Sequence, residues 1–249
     1  MTATSAPTAC VLIIGNEILS GKTQDANLQF FGVELGKLGI RLQEARIVRD
    51  EPAAIIEHLN ECRAAFTYVF TTGGIGPTHD DITAECVARA FGVELVLDPA
   101  AAELLGRGGR PVNEARLKMA RVPKGATLIE NSVSIAPGFR IGNVLVLAGI
   151  PAIARAMFAA AAPSLTAGQR IHSAAVDVYL KEGDFAAALE KIALAHPDAE
   201  IGSYPFQRDG RFGASLVVRG TDKSLIERIV AEIAAAMVAL GGAVDGRQP

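Results

Sequence analysis

The chain opens with a continuous apolar run, residues 9–14 (ACVLII), closed by Gly15. A run with no polar alternation is the pattern of a strand buried on both faces, as in a parallel sheet. Residues 26–38 then place Leu28, Phe31, Leu35 and Leu38 at helical spacing, and Gly39 supplies a stop. Residues 41–48 have strand character. Pro52 opens a helix whose inner face is Ile55, Ile56, Leu59 and Cys62. Residues 67–72 (TYVFTT) form the next strand and run into glycines.

A helix at 82–91, a short strand or extended connector at 93–97 and two short helices at 99–105 and 113–120 follow, the last two flanking a glycine-rich turn at 106–111. Short strands are expected at 126–129, 138–141 and 144–147. An alanine-rich helix begins after Pro151. Strands alternating with helices predict an α/β fold, a mostly parallel βαβ sheet. The composition changes near residues 167–170. Beyond it the order is strand (171–180), helix (184–196), two strands (200–204 and 212–219) and helix (222–240). In the last helix Ile226, Ile229, Val230, Ile233, Met237 and Leu240 share one face. The expected division is therefore 1–168, a large α/β domain, and 169–249, a small α+β domain. Pro205 makes the GSYP segment (202–205) a poor strand centre, so Ser203, Tyr204 and Pro205 are expected at a surface.

The whole has 249 residues, half of them apolar, and a net charge of −3. No basic run is present, which argues against nucleic acid as a partner. No apolar stretch free of charges reaches membrane-spanning length, and no secretory signal is read at the start. Cys10, Cys62 and Cys86 each sit in an apolar periodic segment without CxxC spacing. They read as buried free thiols of a cytoplasmic protein.

Chemistry concentrates in residues 71–83, TTGGIGPTHDDIT. Gly73, Gly74 and Gly76 lack Cβ atoms where a strand ends and a helix begins, so backbone N–H groups can converge on an anion. The following helix points its positive end at the same spot. Thr72 and Thr78 add hydroxyl donors. Asp80 and Asp81 would repel a phosphate unless a divalent cation lay between, and that conflict points to a metal with oxygen ligands. The other reading of the pair is helix capping. His79 reads as a loop residue. Gly15, Asn16 and Glu17 end the first strand, at the sheet edge where open α/β folds bind ligands. Glu17, Asp25 and Asn27 can face the same ligand there. Asp25 can equally cap the helix that follows, and Glu17 can equally be a solvated loop residue.

The segments GNEILSGKTQDAN (15–27), TGGIGPTHDDIT (72–83), NEARLKMARVP (113–123), APGF (136–139) and GSYP (202–205) together resemble the molybdopterin-binding-like domain family. That family includes the competence/damage-inducible protein CinA, the molybdenum-cofactor proteins MoaB, MogA and MoeA, and a domain associated with FAD synthetase. The resemblance implies a three-layer α/β/α sandwich with a small KH-like C-terminal domain. It implies metal-dependent hydrolysis of a nucleotide pyrophosphate of the ADP-ribose or FAD kind, or else non-catalytic binding of molybdopterin or a nucleotide. Matched by motif, Asp81 is the metal-proximal acid, followed by Thr83. Glu17 is the acid of the first motif and a second metal ligand, and Asp25 and Asn27 complete that motif. Asp80 or Glu17 would orient the attacking water. A divalent cation of the Mg or Mn type is expected, with a monovalent cation as an optional companion and no organic cofactor. The expected assembly is a homodimer.

Overall fold

A computed structural model describes residues 6–107 and 113–245. The N-terminal five residues and most of the expected glycine-rich turn, residues 108–111, lie outside that set. The chain divides into two compact units, Met1–Gly168 and Gln169–Pro249.

The first unit runs β1 (Thr8–Ile14), α1 (Asn16–Leu19), α2 (Asn27–Lys37), β2 (Arg41–Val48), α3 (Pro52–Ala65), β3 (Tyr68–Thr72) and α4 (Thr83–Phe91). It continues with β4 (Leu95–Leu97), α5 (Pro99–Arg107), α6 (Glu114–Lys118), β5 (Arg121–Pro123), β6 (Thr127–Ile129), β7 (Gly138–Ile141), β8 (Val144–Leu147) and α7 (Pro151–Ala161). Six strands form one sheet in the order β2-β1-β3-β8-β7-β6. β1 lies parallel to β2 and β3, and β3 parallel to β8, while β7 runs antiparallel to both its neighbours.

The period of two along β1 explains its uniform apolarity. Ala9, Val11 and Ile13 face one core with Phe31 and Leu35 of α2 and Met157 and Phe158 of α7. Cys10, Leu12 and Ile14 face the other with Ile55 and Leu59 of α3 and Cys86 and Val87 of α4. Both faces of the sheet are covered, as the three-layer α/β/α expectation requires. The three cysteines are buried and free, with Cys10 and Cys62 in Sγ–Sγ contact at 3.4 Å.

Two elements differ from the sequence reading in this unit. The loop after β1 contains the four-residue helix α1. The segment after α6 forms β5, which pairs antiparallel with β4 as a two-stranded ribbon apart from the main sheet.

The second unit runs β9 (His172–Tyr179), α8 (Glu182–Ala195), β10 (Glu200–Arg208), β11 (Arg211–Gly220), α9 (Lys223–Ala239) and β12 (Ala243–Asp245). Its antiparallel sheet has the order β10-β11-β9-β12. This is the small α+β unit expected, and the unforeseen strand β12 makes it βαββαβ, the split βαβ arrangement. Val176, Val178, Leu216 and Val218 of the sheet meet Phe185 of α8 and Ile226, Ile229, Ile233 and Met237 of α9. Asp222 caps α9 by accepting from the backbone N–H groups of Ser224 and Leu225. The strand expected at 200–204 runs on through Pro205 to Arg208, so all of GSYP lies inside β10. β10 is an edge strand, where a proline's missing N–H leaves no ladder bond unmade. Tyr204 and Pro205 are exposed there, and Ser203 is half-buried, donating to Glu182 Oε1 at 2.8 Å. Among the described residues no helix is long and apolar enough to cross a membrane.

Candidate functional site

β3 ends at Thr72, which is buried in register with Ile13 of β1 and Leu147 of β8. The chain must turn at once to reach α4, and the next two residues do so with positive φ, +99° at Gly73 and +66° at Gly74. Neither position has room for a side chain. A Cβ on Gly73 would lie 2.1 Å from the Ile14 carbonyl oxygen, and one on Gly74 would lie 2.2 Å from Thr83 Oγ1. Thr83, fully buried at the start of α4, holds the turn by donating from Oγ1 to the Gly73 carbonyl at 2.9 Å. Its N–H donates to the Gly74 carbonyl at 3.0 Å.

The outer half of the loop is held by Asp81. Its Oδ2 accepts from the Thr78 N–H at 2.8 Å and from the Thr78 hydroxyl at 2.5 Å. Lys118 of α6 donates to the Thr78 carbonyl, tying α6 to the same residue. Asp80 is exposed beside it. The Thr78 hydroxyl holds its carboxyl below the ordinary carboxylate value, and its own backbone N–H and the His79 and Lys118 charges add to that effect. The His79 side chain is almost wholly exposed.

One cavity of about 570 Å³ opens against this loop. Gly74, Gly76 and Asp81 form part of its lining. Leu95, Leu117, Met119 and Phe139 give it an apolar wall. Its charged lining includes Glu85, Glu114, Lys118 and Arg121. The β4–β5 ribbon and α6 build the part that sequence reasoning did not assign. The signal was present, since segments 113–123 and 136–139 are among those that carried the family resemblance.

The first-motif residues sit elsewhere. Glu17 is exposed on α1, with its carboxylate folded back against the position of Gly15. Asn16 donates its backbone N–H to Asp50 Oδ2 at 2.7 Å. Asp25 accepts from the Leu28 N–H at 2.8 Å, so it caps α2. Asn27 is buried, donates from Nδ2 to the Gly149 carbonyl at 2.8 Å and leaves Oδ1 without a partner. A Cβ on Gly149 would lie 3.3 Å from the Gly73 Cα, so Asn27 supports the glycine turn at one remove. None of these four side chains lines the cavity with Asp81.

The lining can be tested for a cation. Among the described residues no three acidic, histidine or cysteine side chains converge on a point that could hold a metal ion. A magnesium-type ion needs no such cage. It commonly takes one or two carboxylates and completes its shell with water and ligand phosphates. Asp81 fits that mode, because its two bonds from Thr78 both end on Oδ2 and no hydrogen bond among the described residues engages Oδ1. Glu85 and Glu114 in the lining add negative charge.

Residues 10–167 match the family described as the probable molybdopterin binding domain. The chain belongs to that family. Residues 170–240 match the FAD synthase middle domain. A CinA protein of Thermoplasma acidophilum, of unknown function, is 32% identical with a TM-score of 0.60, over 65% of this chain and 99% of that one. A CinA-like protein of Gloeobacter violaceus is 32% identical over 252 residues, 95% of this chain and 58% of its own length. A probable FAD synthase of Caenorhabditis elegans is 30% identical over 254 residues, 91% of this chain and 49% of that protein. The chain thus spans about half to three fifths of these two curated relatives. The resemblance read from the glycine loop and its companion segments holds.

Proposed function

We propose that the chain binds a nucleotide or pterin phosphate in the cavity beside Gly74 and Asp81, and hydrolyses the pyrophosphate of an ADP-ribose- or FAD-like compound with a divalent cation. One observation carries this reading: a phosphate-type loop and a carboxylate meet an apolar wall of ring-accommodating size in a single cavity of about 570 Å³. Loop N–H groups stabilise charge on the phosphoryl oxygens. Asp81 Oδ1 holds the cation, and Asp80, kept ionised, orients water. The cation, when bound, neutralises phosphoryl charge and lowers the pKa of a bound water. The FAD class of substrate is suggested by the match to the FAD synthase middle domain and to the nematode protein. Glu17, on α1, enters this reading only as an outer partner of the ligand. A homodimer of cytoplasmic location belongs to the same proposal.

A second reading is non-catalytic binding of molybdopterin or a nucleotide, linked to molybdenum cofactor metabolism. The bonds from Thr78 to Asp81 favour it, because they also suit a purely structural aspartate. Incubation with ADP-ribose or FAD and Mg²⁺ or Mn²⁺, followed by chromatography for AMP, separates the two. Metal-dependent AMP release supports hydrolysis. Calorimetric binding without release supports the second reading, and neither binding nor release overturns both.

A further inference from the structure

Arg121 opens β5, opposite Leu97 of β4. Alternation along the strand buries the next residue, Val122, in the core beneath, and turns Arg121 outward to the cavity. Its guanidinium makes no hydrogen bond or ion pair with any described residue. The other cation of the lining is differently placed. Lys118 donates to the Thr78 carbonyl, and its charge is felt by Asp80. Arg121 is therefore a cavity cation without a partner of its own among the described residues, in a lining that also holds Asp81, Glu85 and Glu114. A guanidinium presents its donors in a rigid fork that matches two oxygens of a phosphate, and it cannot lose its charge at neutral pH.

We propose that Arg121 grips the second phosphate of the ligand and makes the site select diphosphates over monophosphates. This rests on the cavity reading above. The glycine loop and Asp81 take one phosphate and its cation. Arg121, carried on the β4–β5 ribbon, takes the next, and the ring lies along Leu117, Met119 and Phe139. A monophosphate satisfies the loop and leaves the arginine idle. A diphosphate engages both, and the acids Glu85 and Glu114 disfavour it unless Arg121 and the loop-bound cation both offset its charge. Arg121 is thus assigned as a specificity residue for the substrate class, with no part in proton transfer.

The test is calorimetric titration of the full chain with ADP and with AMP, both with Mg²⁺, for the parent, Arg121→Gln and Arg121→Lys. Thermal melting checks that each variant is folded, which the exposed position of Arg121 favours. The parent should bind ADP about tenfold more tightly than AMP, a difference of about 1.4 kcal/mol, through the charge-assisted bidentate contact. Arg121→Gln should lose most of that preference, through weaker ADP binding with AMP affinity little changed. Arg121→Lys should fall between, because it keeps the charge and loses the fork. Equal losses for both ligands, or an unchanged ADP preference in a folded Arg121→Gln, would overturn the inference and leave the cavity reading standing. A parent that binds neither nucleotide would overturn the cavity reading and this inference with it.

Discussion

Thr78 donates twice to a single oxygen of Asp81, from its N–H at 2.8 Å and from its hydroxyl at 2.5 Å, and so closes the outer half of the glycine loop. The aspartate is fixed through Oδ2, and no hydrogen bond among the described residues engages Oδ1. Removing the hydroxyl while keeping the N–H tests this relationship, and it withdraws the same hydroxyl from Asp80. Thr78→Val should fold normally and bind ADP with Mg²⁺ more weakly, by about 1–1.5 kcal/mol or roughly tenfold, as expected for one charge-assisted hydrogen bond at a partly exposed site. Unaltered affinity by calorimetry would show that the bond does not hold the carboxylate for the ligand.

Gly74 gives a prediction about stability. From sequence, its role was to let the backbone approach phosphate. In the structure the atom nearest its missing Cβ is Thr83 Oγ1, at 2.2 Å, with φ at +66°. Gly74→Ala should therefore be damaging through the fold. Backbone strain and overpacking together cost about 2–4 kcal/mol, and the melting temperature should fall by ~5–15 °C. A melting curve unchanged from the parent would mean the turn relaxes without cost.

Much of this fold was legible because its signals are local. The run ACVLII, the glycines after TYVFTT and the apolar stripe of α9 each declare an element within one window. What escaped is short or assembled at a distance. α1 has four residues and no buried side chain, so it leaves no periodicity. β5 and β12 have three residues each, too few for alternation to show. Pro205 argued that the strand stops at Tyr204, and only the edge position of β10 lets it run on to Arg208. At the site, the glycine loop was evident, but the place of Arg121 and Lys118 in the cavity depends on how the β4–β5 ribbon and α6 pack over α4. Conversely, Glu17, Asp25 and Asn27 were grouped with Asp81 because β1 and β3 end at one sheet edge. Their side chains turn instead to α1, to the α2 cap and to Gly149.

The cavity lining falls entirely between Gly74 and Phe139, inside the first unit. A chain ending at Gly168 should be soluble, melt cooperatively and bind ADP with Mg²⁺ about as well as the full chain. A folded truncation that no longer binds would mean that the second unit completes the site. An insoluble one would mean that the two units share their stability.

Burial pushes the Cys86 thiol up to about 11 from its ordinary 9.0, with the neighbouring Glu85 adding to the shift. A folded value above the unfolded one stabilises the protein fully below about pH 9, and that contribution is lost as pH rises from 9 to 11. Cys86→Ala should be less stable than the parent at pH 8, because it leaves a small cavity in a packed core. Its deficit should shrink by a few degrees between pH 9 and 11, since a pKa unit is worth about 1.4 kcal/mol. A gap in melting temperature that stays constant across that window would contradict the assignment.

The most direct test of the account is the rate of AMP release from ADP-ribose with Mn²⁺, for the parent and for Asp81→Asn. The amide keeps the volume of the carboxylate, and its oxygen can still accept from Thr78, so the loop should remain folded. It lacks the charge that a hard cation requires. The account predicts metal-dependent release by the parent and a loss of at least ~100-fold in Asp81→Asn, with melting temperature close to the parent's. Release by a folded Asp81→Asn at the parent's rate, with the same dependence on Mn²⁺, would contradict it.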